Sequence, residues 1–375
     1  MKNKLLASIT VGVSLLVTTF FTYADQQLDL YSSSVLVPDQ SSQVRDQALA
    51  NGLANVFVRI SGNRNIVKYA AVQRAIANAN AYLYEFEYAS TEETVAADGA
   101  EQSAVRLLMR FSPSLVDGLL QNEQLPYWPA NRPDILLWAA QADGRGSQQF
   151  IGNDSAAVNA LTLTAKERGI TLIKPVFDLE DRLALPVSRL WIEDAASITN
   201  ASSRYKTDAV LAGRFSPLDK GRWMASFTLF YQSRQQSFVS RGADIDKVSK
   251  DIFDQAADYL SSFFTTTINN EGSLETMALT VNNVDNFAIY ADVLSYLEGL
   301  STVQKVSLMT VQANQMKLML HYQGSQAVIL RNLSLDKRLV SVGFKPDANT
   351  LIAGDVTATP VGTVDDPLQF LWQRQ

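Results

Sequence analysis

Hydrophobic positions along the chain recur at helical spacing in some stretches and alternate in others, which predicts helices and strands in mixed order. From residue 26 to about 129 this pattern predicts an α+β domain. Ser41 is placed to cap its first helix and Gly62 to end it. The other elements are expected as a strand over 28–37, a helix over 69–83, strands over 84–88 and 105–111 joined by a flexible acidic loop over 91–102, and a short helix over 113–120.

A junction over residues 125–133 separates this domain from the next, because three prolines within eight residues stop a helix or a sheet from continuing. The continuous apolar run over 135–139 then predicts a strand that is covered on both faces. Strands and helices alternate beyond it, which predicts an α/β sheet. We expect a helix over 156–168 that ends at Gly169, strands over 170–173 and 209–213, a helix near 188–205, an antiparallel edge strand over 223–231 and a closing helix over 245–264.

After a polar linker, the third region predicts the order strand, helix, strand, strand, helix, strand, which is typical of a ferredoxin-like module. The tail has few core residues before Leu368, Phe370 and Trp372, so we expect most of it to be mobile and its aromatic end to dock on a domain. The predicted fold is α+β and α/β: three small mixed domains in series after a signal peptide, with an antiparallel edge hairpin in the central domain. The expected boundaries are 1–24, 25–130, 131–268, 277–345 and 346–375.

The leader carries Lys2 and Lys4, an apolar run to Phe21, and the small residues Thr22 and Ala24 before Asp25. This arrangement predicts a cleavable signal peptide and hence a periplasmic protein; an uncleaved membrane anchor is the alternative, because the run is close to spanning length. No later segment has about 18 uninterrupted apolar residues, so the mature chain is expected to lack a transmembrane helix.

Composition narrows the functional classes. The 375 residues are 47% hydrophobic with a net charge of −6, which argues against a nucleic-acid partner. The chain has no cysteine, which excludes disulfides, thiol catalysis, thiolate zinc sites and a lipid anchor on a cysteine. No cofactor-binding motif is found, and we expect no cofactor.

Three further sequence patterns give only weak evidence for a catalytic or binding role. His321 is the single histidine and lies on a predicted strand, where we expect it to face solvent. Ser203 and Lys206 have the spacing of a serine–lysine pair but lack its companion motifs. The turn Gly144-Arg145-Gly146-Ser147 follows a strand, as phosphate-binding turns do, yet lacks their lysine.

Asp178, Glu180 and Asp181 follow the second strand of the predicted α/β sheet, at the carboxyl edge where such sheets bind ligands. Three carboxylates there could hold a divalent cation or supply an acid and a base. A solvated loop is the simpler interpretation.

A second polar motif surrounds Gly62. Arg59, Asn63 and Arg64 could bind an anion or a partner near the start of the following helix. The structural alternative is a glycine-terminated helix whose asparagine side chains bond the local backbone.

The motif over residues 59–64, the junction and the Leu-Leu-Trp strand after it resemble an exported gammaproteobacterial family catalogued as domain of unknown function 2066. That resemblance implies export but no activity, cofactor or functional residue. In its element order, the central domain is also similar to the class shared by the amino-terminal domain of the Tol translocation protein, the curli-secretion lipoprotein and the flagellar T-ring protein, which are envelope assembly factors.

We therefore expect a non-catalytic periplasmic adaptor or assembly factor that contacts envelope proteins. The alternative is a periplasmic hydrolase or a small-ligand or cation-binding protein that uses Asp178, Glu180 and Asp181. A concave pocket around those carboxylates would favour the alternative, whereas a shallow apolar patch would favour the adaptor.

Overall fold

The computed structural model describes residues 29–97, 100–143, 145–267, 274–300, 302–336, 338–343 and 362–373. These residues form helices and four sheets of mixed or antiparallel character, which confirms the predicted fold class. The predicted signal peptide and residues 346–361 of the predicted tail lie outside the described residues.

The first domain packs a three-stranded antiparallel sheet, in the order β1-β3-β2, against its longest helix. Its elements are β1 (Ser32–Val37), α1 (Ser42–Ser61), α2 (Ala70–Ala77), β2 (Leu83–Ala97), β3 (Ala100–Phe111) and α3 (Pro113–Asn122). Ser41 caps α1 by accepting a hydrogen bond from the Val44 N–H, and Gly62 ends it at a φ of 69°, as predicted. Two predictions were wrong: α2 ends at Ala77, and strand pairing continues through most of the expected loop over 91–102.

The middle domain begins with a short junction strand and contains a six-stranded sheet. Its elements are β4 (Pro126–Tyr127), β5 (Ile135–Ala142), β6 (Gln148–Phe150), α4 (Ala156–Arg168), β7 (Leu172–Ile173), α5 (Leu179–Ala184), α6 (Val187–Trp191), α7 (Ala195–Ser202), β8 (Ala209–Pro217), β9 (Trp223–Tyr231), β10 (Arg234–Gly242), α8 (Ile245–Ser261) and β11 (Thr266–Thr267).

The sheet runs in the order β10-β9-β8-β5-β6, with β7 also paired to β5. Strand β5 is buried as predicted, because α4 and α8 cover one face and α5, α6 and α7 the other. The prediction that the strand over 223–231 forms the edge was wrong: β9 lies between β8 and β10, and the unpredicted strand β10 forms the edge on the antiparallel side. The prediction of a single helix near 188–205 was wrong. The helix is interrupted at Glu193, whose φ is 55°, and Asp194 caps a new helix by accepting from the Ser197 N–H.

The third domain contains a five-stranded sheet in the order β13-β14-β12-β16-β15. Its elements are β12 (Glu275–Asn282), α9 (Phe287–Glu298), β13 (Val303–Gln312), β14 (Gln315–Tyr322), α10 (Gln326–Leu335), β15 (Leu339–Val342) and β16 (Leu368–Trp372). Strands β12 to β15 follow the predicted ferredoxin-like order, and β16 is inserted between the first and the fourth of them.

The end of the chain is therefore not a docked tail, as we had expected, but a strand inside the sheet. Strand β16 pairs in parallel with β12 and antiparallel with β15. Leu368, Phe370 and Trp372 alternate into the core, because successive side chains of a strand point to opposite faces.

Within the described part of the chain, no helix has the length and apolar character needed to cross a membrane.

Candidate functional site

The predicted carboxylate cluster lies at the start of α5 and is not in a loop. Asp178 caps α5 by accepting from the Asp181 N–H at 2.9 Å. The Arg204 guanidinium, from the turn after α7, bonds both carboxylate oxygens of Asp178 at 2.9 and 3.0 Å and reaches Asp181 at 2.9 Å. One arginine therefore joins two of the predicted site residues, and Glu180 lies 3.6 Å from it.

Asp181 is fully buried, and both of its carboxylate oxygens have partners. Oδ2 accepts from the Tyr205 hydroxyl at 2.6 Å and from the Phe177 N–H at 2.8 Å, while Oδ1 faces Arg204. Burial and this hydrogen bond raise the pKa of Tyr205 to about 12, so the phenol keeps its proton. The hydrogen bonds from Arg204 hold the pKa of Asp178 below its usual range.

This arrangement argues against the predicted acid–base or cation chemistry at the cluster. The guanidinium stands where a divalent cation would have to bind, and a salt-bridged carboxylate is a poor general base. Among the described residues, no group of three or more acidic or histidine side chains could hold a metal ion. Asp178 and Asp181 instead anchor α5.

Three apolar side chains beside the anchor point into solvent, and we call them the α5 face: Val176, Leu179 and Leu183. They are 70%, 72% and 72% exposed. Leu179 and Leu183 are four residues apart, on one side of the helix, whereas Leu185 just beyond is fully buried against the sheet. Their spacing was visible in the sequence but is the same as that of a core-facing stripe, so it gave no sign of exposure.

The second predicted motif lies inside the contact between the first two domains. The guanidinium of Arg59 donates to the Glu167 carbonyl in α4 at 2.8 Å and to the Ser32 carbonyl in β1 at 2.6 Å. Arg64 donates to Asp258 of α8 at 2.6 Å. Asn63 accepts from the Asn65 N–H at 2.8 Å, which is the structural alternative considered for this motif.

Two further arginines complete this contact, and we call the four together the arginine cluster: Arg59, Arg64, Arg132 and Arg168. Arg132 stacks on Trp128 and donates to the Arg59 and Arg168 carbonyls at 2.8 and 2.6 Å. Burial, with the neighbouring cations, lowers the pKa of Arg132 to about 9, so it stays charged at neutral pH. The arginines therefore bind carbonyls and carboxylates of the chain itself instead of an external anion.

Gly62 lies at the centre of the contact. Its carbonyl accepts from Arg168 at 2.8 Å and from the Ser261 hydroxyl at 2.7 Å. A Cβ at this position would lie 2.6 Å from Ser261 Cβ and 2.8 Å from the Trp128 ring, which is too close for any side chain.

The weaker sequence candidates show no reactive arrangement in the described residues. His321 is half-buried on β14, and its Nε2 lies 3.3 Å from Ser307 Oγ. The Ser203 hydroxyl donates to the Asn200 carbonyl at 2.7 Å. In the candidate phosphate-binding turn, Gly144 lies outside the described residues, and the Arg145 N–H donates to Asp143 at 2.9 Å.

A cleft of about 940 Å³ lies where the first and third domains meet, and no sequence pattern predicted it; we call it the junction cleft. Its walls come from positions about 300 residues apart in the chain, including Tyr31, Asp117, Asn131, Asn332 and Trp372. The Tyr31 hydroxyl donates to both oxygens of Asp117 at 2.9 Å. Burial raises the pKa of Asp117 from 3.8 to about 6.

The pKa of Asp117 predicts a pH-dependent stability. Its folded-state pKa lies above its unfolded value, so its contribution is present below about pH 4 and is lost as pH rises through about 6. We expect the free energy of unfolding of Asp117→Asn, relative to that of the wild type, to rise by about 2 kcal/mol between pH 4 and 7. Urea unfolding at several pH values measures this difference, and parallel pH profiles of the two proteins would contradict it.

Comparison with known families finds matches for two segments of the chain. Residues 24–129 match the family model DUF8605, a domain of unknown function, and residues 276–357 match the family model DUF2066. The first match contains the motif over 59–64 that carried the resemblance, and the second covers β12 to β15 but not β16. No curated protein matches the chain. Residues 276–357 are thus similar to the family of unknown function 2066, which is the family that the sequence resemblance named, although the residues that carried the resemblance lie outside this segment.

Proposed function

We propose that the protein acts in the periplasm, after cleavage of its leader, as a non-catalytic adaptor that binds an envelope protein through the α5 face. The observation that carries this proposal is the exposure of Val176, Leu179 and Leu183. Apolar side chains that are exposed together commonly mark a protein–protein contact. A shallow apolar patch, and not a concave acidic pocket, is what an adaptor needs at this edge.

Buried hydrogen bonds and apolar contacts hold the α5 face in a fixed position. Asp181 is buried beneath it and bonded to Arg204 and Tyr205, while Leu185 and Leu190 attach the same segment to the sheet core. A loop that only had to be soluble would present polar side chains at positions 179 and 183. Fixing two leucines in solvent lowers the ordering cost of binding a partner.

The charges around the face indicate what kind of partner it fits. Glu180 lies next to Leu179 with its side chain 70% exposed, and the whole chain has a net charge of −6. Glu180 already lies 3.6 Å from Arg204 and the neighbouring Arg182 is exposed, so the charges beside the face are mixed, and we infer a partner surface that is mainly apolar. Full burial of each leucine contributes about 1.5–3 kcal/mol, which makes both leucines candidates for dominant contacts.

Site-specific photo-crosslinking in living cells tests the proposal. A photoreactive phenylalanine analogue replaces Leu183 in one exported chain and Leu163 of α4, which is 60% exposed, in a matched control. We expect a discrete light-dependent adduct from position 183, recovered in the periplasmic fraction, and no such adduct from position 163. Equal labelling from both positions, or none from 183, contradicts the assigned surface, and recovery from the cytoplasm contradicts the assigned location.

A further inference from the structure

Strand β10 ends the sheet of the middle domain on its antiparallel side, and in the described part of the chain the one strand that it pairs with is β9. The pairing runs over all nine residues from Arg234 to Gly242 without a register shift. The outer side of β10 therefore carries a regular row of backbone N–H and C=O groups. Such a row is a template for one more strand.

The other edge strands of the described sheets are less suited to strand addition. Strands β4, β6, β7, β11 and β15 have four residues or fewer. Strands β2 and β13 are longer, but each contains two register shifts, which bend a strand and interrupt its pairing. At β1, the Arg59 guanidinium already donates to the Ser32 carbonyl. Strand β10 has no such protection, because it contains no proline and residues 235–240 carry no charge.

The turn before β10 determines which of its backbone groups point outward. Two residues join Tyr231 to Arg234, and a turn of this length makes the two flanking residues a hydrogen-bonded pair. Hydrogen-bonded and non-hydrogen-bonded pairs alternate along an antiparallel ladder. The backbone groups of residues 235, 237, 239 and 241 therefore point away from β9, and an incoming strand can pair with them.

The side chains beside this edge indicate what kind of strand it fits. Val239 is 48% exposed, and the exposed Arg241 lies on the same face of the sheet, two residues further on. Arg241 has no carboxylate partner among the described residues. On the other face, Phe238 packs against Tyr259 of α8, with 6.1 Å between the ring centroids. An incoming strand therefore meets apolar side chains on both faces and a cation at one end.

A second copy of β10 fits this edge less well than an acidic strand does. Two β10 strands that pair antiparallel about Phe238 bring Arg241 of each copy opposite Gln235 of the other, next to its Arg234. Each end of the pair then holds two arginines, and β10 contains no acidic residue to offset them. Opposite charges on facing strands stabilise a sheet, whereas like charges destabilise it.

We propose that β10 binds an extended segment of a partner protein as an additional antiparallel strand, with an acidic side chain opposite Arg241 and an apolar side chain opposite Val239. The backbone groups of the edge supply affinity, and the two side-chain positions supply selectivity. This surface does not depend on the α5 face, and either one can fail without affecting the other.

NMR-detected amide hydrogen exchange of the mature chain tests this assignment residue by residue. The probe is the capped peptide acetyl-Glu-Thr-Val-Val-Thr-Thr-Gln-amide, whose first residue lies opposite Arg241 and whose third lies opposite Val239. The comparison peptide begins with lysine and is otherwise identical. We expect the glutamate peptide to slow exchange at Ser237 and Val239 about tenfold or more at saturation, because these amides gain hydrogen bonds. The lysine peptide should bind about threefold more weakly.

Two variants separate the charge from the backbone contribution. Arg241→Glu changes an exposed side chain and should reverse the preference, so that the lysine peptide binds more tightly. Val239→Pro removes an outward N–H but no bond to β9, and it should abolish binding, whereas the matched control Val239→Thr should retain it. The thermal midpoint verifies that each variant is folded.

Three results would overturn the proposal. The first is the absence of saturable protection with either peptide, and the second is an unchanged peptide preference in Arg241→Glu. The third is protection of β10 that grows with protein concentration when no peptide is present, because it would assign the edge to a second copy of the chain.

Discussion

Replacing Phe370 with alanine should lower the free energy of unfolding of the third domain by about 3–5 kcal/mol, the usual effect of removing a buried aromatic ring from a core. Phe370 is 2% exposed and lies on β16, between β12 and β15. A chain ending at Pro367 would lose Leu368 and Trp372 as well, and with them the pairing of β16 with both neighbours. We expect that truncated chain to have an unfolded third domain.

Amide hydrogen exchange of β12 measures this effect in the full-length chain, because β12 pairs directly with β16. Gln369→Ala is the control, since Gln369 lies on the same strand but is only partly buried. It should change protection by about 1 kcal/mol or less. If Phe370→Ala left β12 as well protected as the control does, β16 would be a docked tail and not a core strand.

The second large effect is expected at Arg168, in the contact between the first and middle domains. Its guanidinium is 2% exposed and bonds Asp254 at 3.0 Å, Asp258 at 2.6 Å and the Gly62 carbonyl at 2.8 Å. Arg168→Met should lower the free energy of unfolding by about 3–5 kcal/mol, because it leaves the buried carboxylate of Asp254 without its main partner.

Arg110→Met is the matched control in denaturant unfolding. Arg110 also bonds two carboxylates, those of Asp29 and Glu85, but it is 53% exposed. Exposed ion pairs contribute little, so we expect a change of about 1 kcal/mol or less. If Arg168→Met lowered the free energy of unfolding as little as Arg110→Met, burial would give the Arg168 contact no special weight, and the first and middle domains would be only loosely joined.

The parts of the fold that could be predicted from the sequence are those set by local signals. Ser41 and Gly62 bound α1, Gly169 ends α4, and the apolar run after the junction is β5. Each of these depends on a cap, a left-handed glycine or a continuous hydrophobic segment, which act within a few residues.

The parts that could not be predicted depend on residues far apart in the sequence. Leu368, Phe370 and Trp372 alternate as a strand does, but their pattern does not say that they insert between β12 and β15. The carboxylates at 178–181 were correctly singled out, yet their partner Arg204 comes from more than twenty residues later. The junction cleft exists only because the docking of the first and third domains brings its walls together.

The most direct test of the adaptor proposal repeats the photo-crosslinking at position 183 in a chain that also carries Leu179→Asp. Leu179 is 72% exposed, so this substitution should leave the fold unchanged, which circular dichroism and the thermal midpoint can verify. We predict that the adduct at 183 disappears, because a charge now lies in the middle of the apolar contact. An adduct of unchanged mass and yield would show that the partner does not bind the α5 face, and the central claim would be wrong.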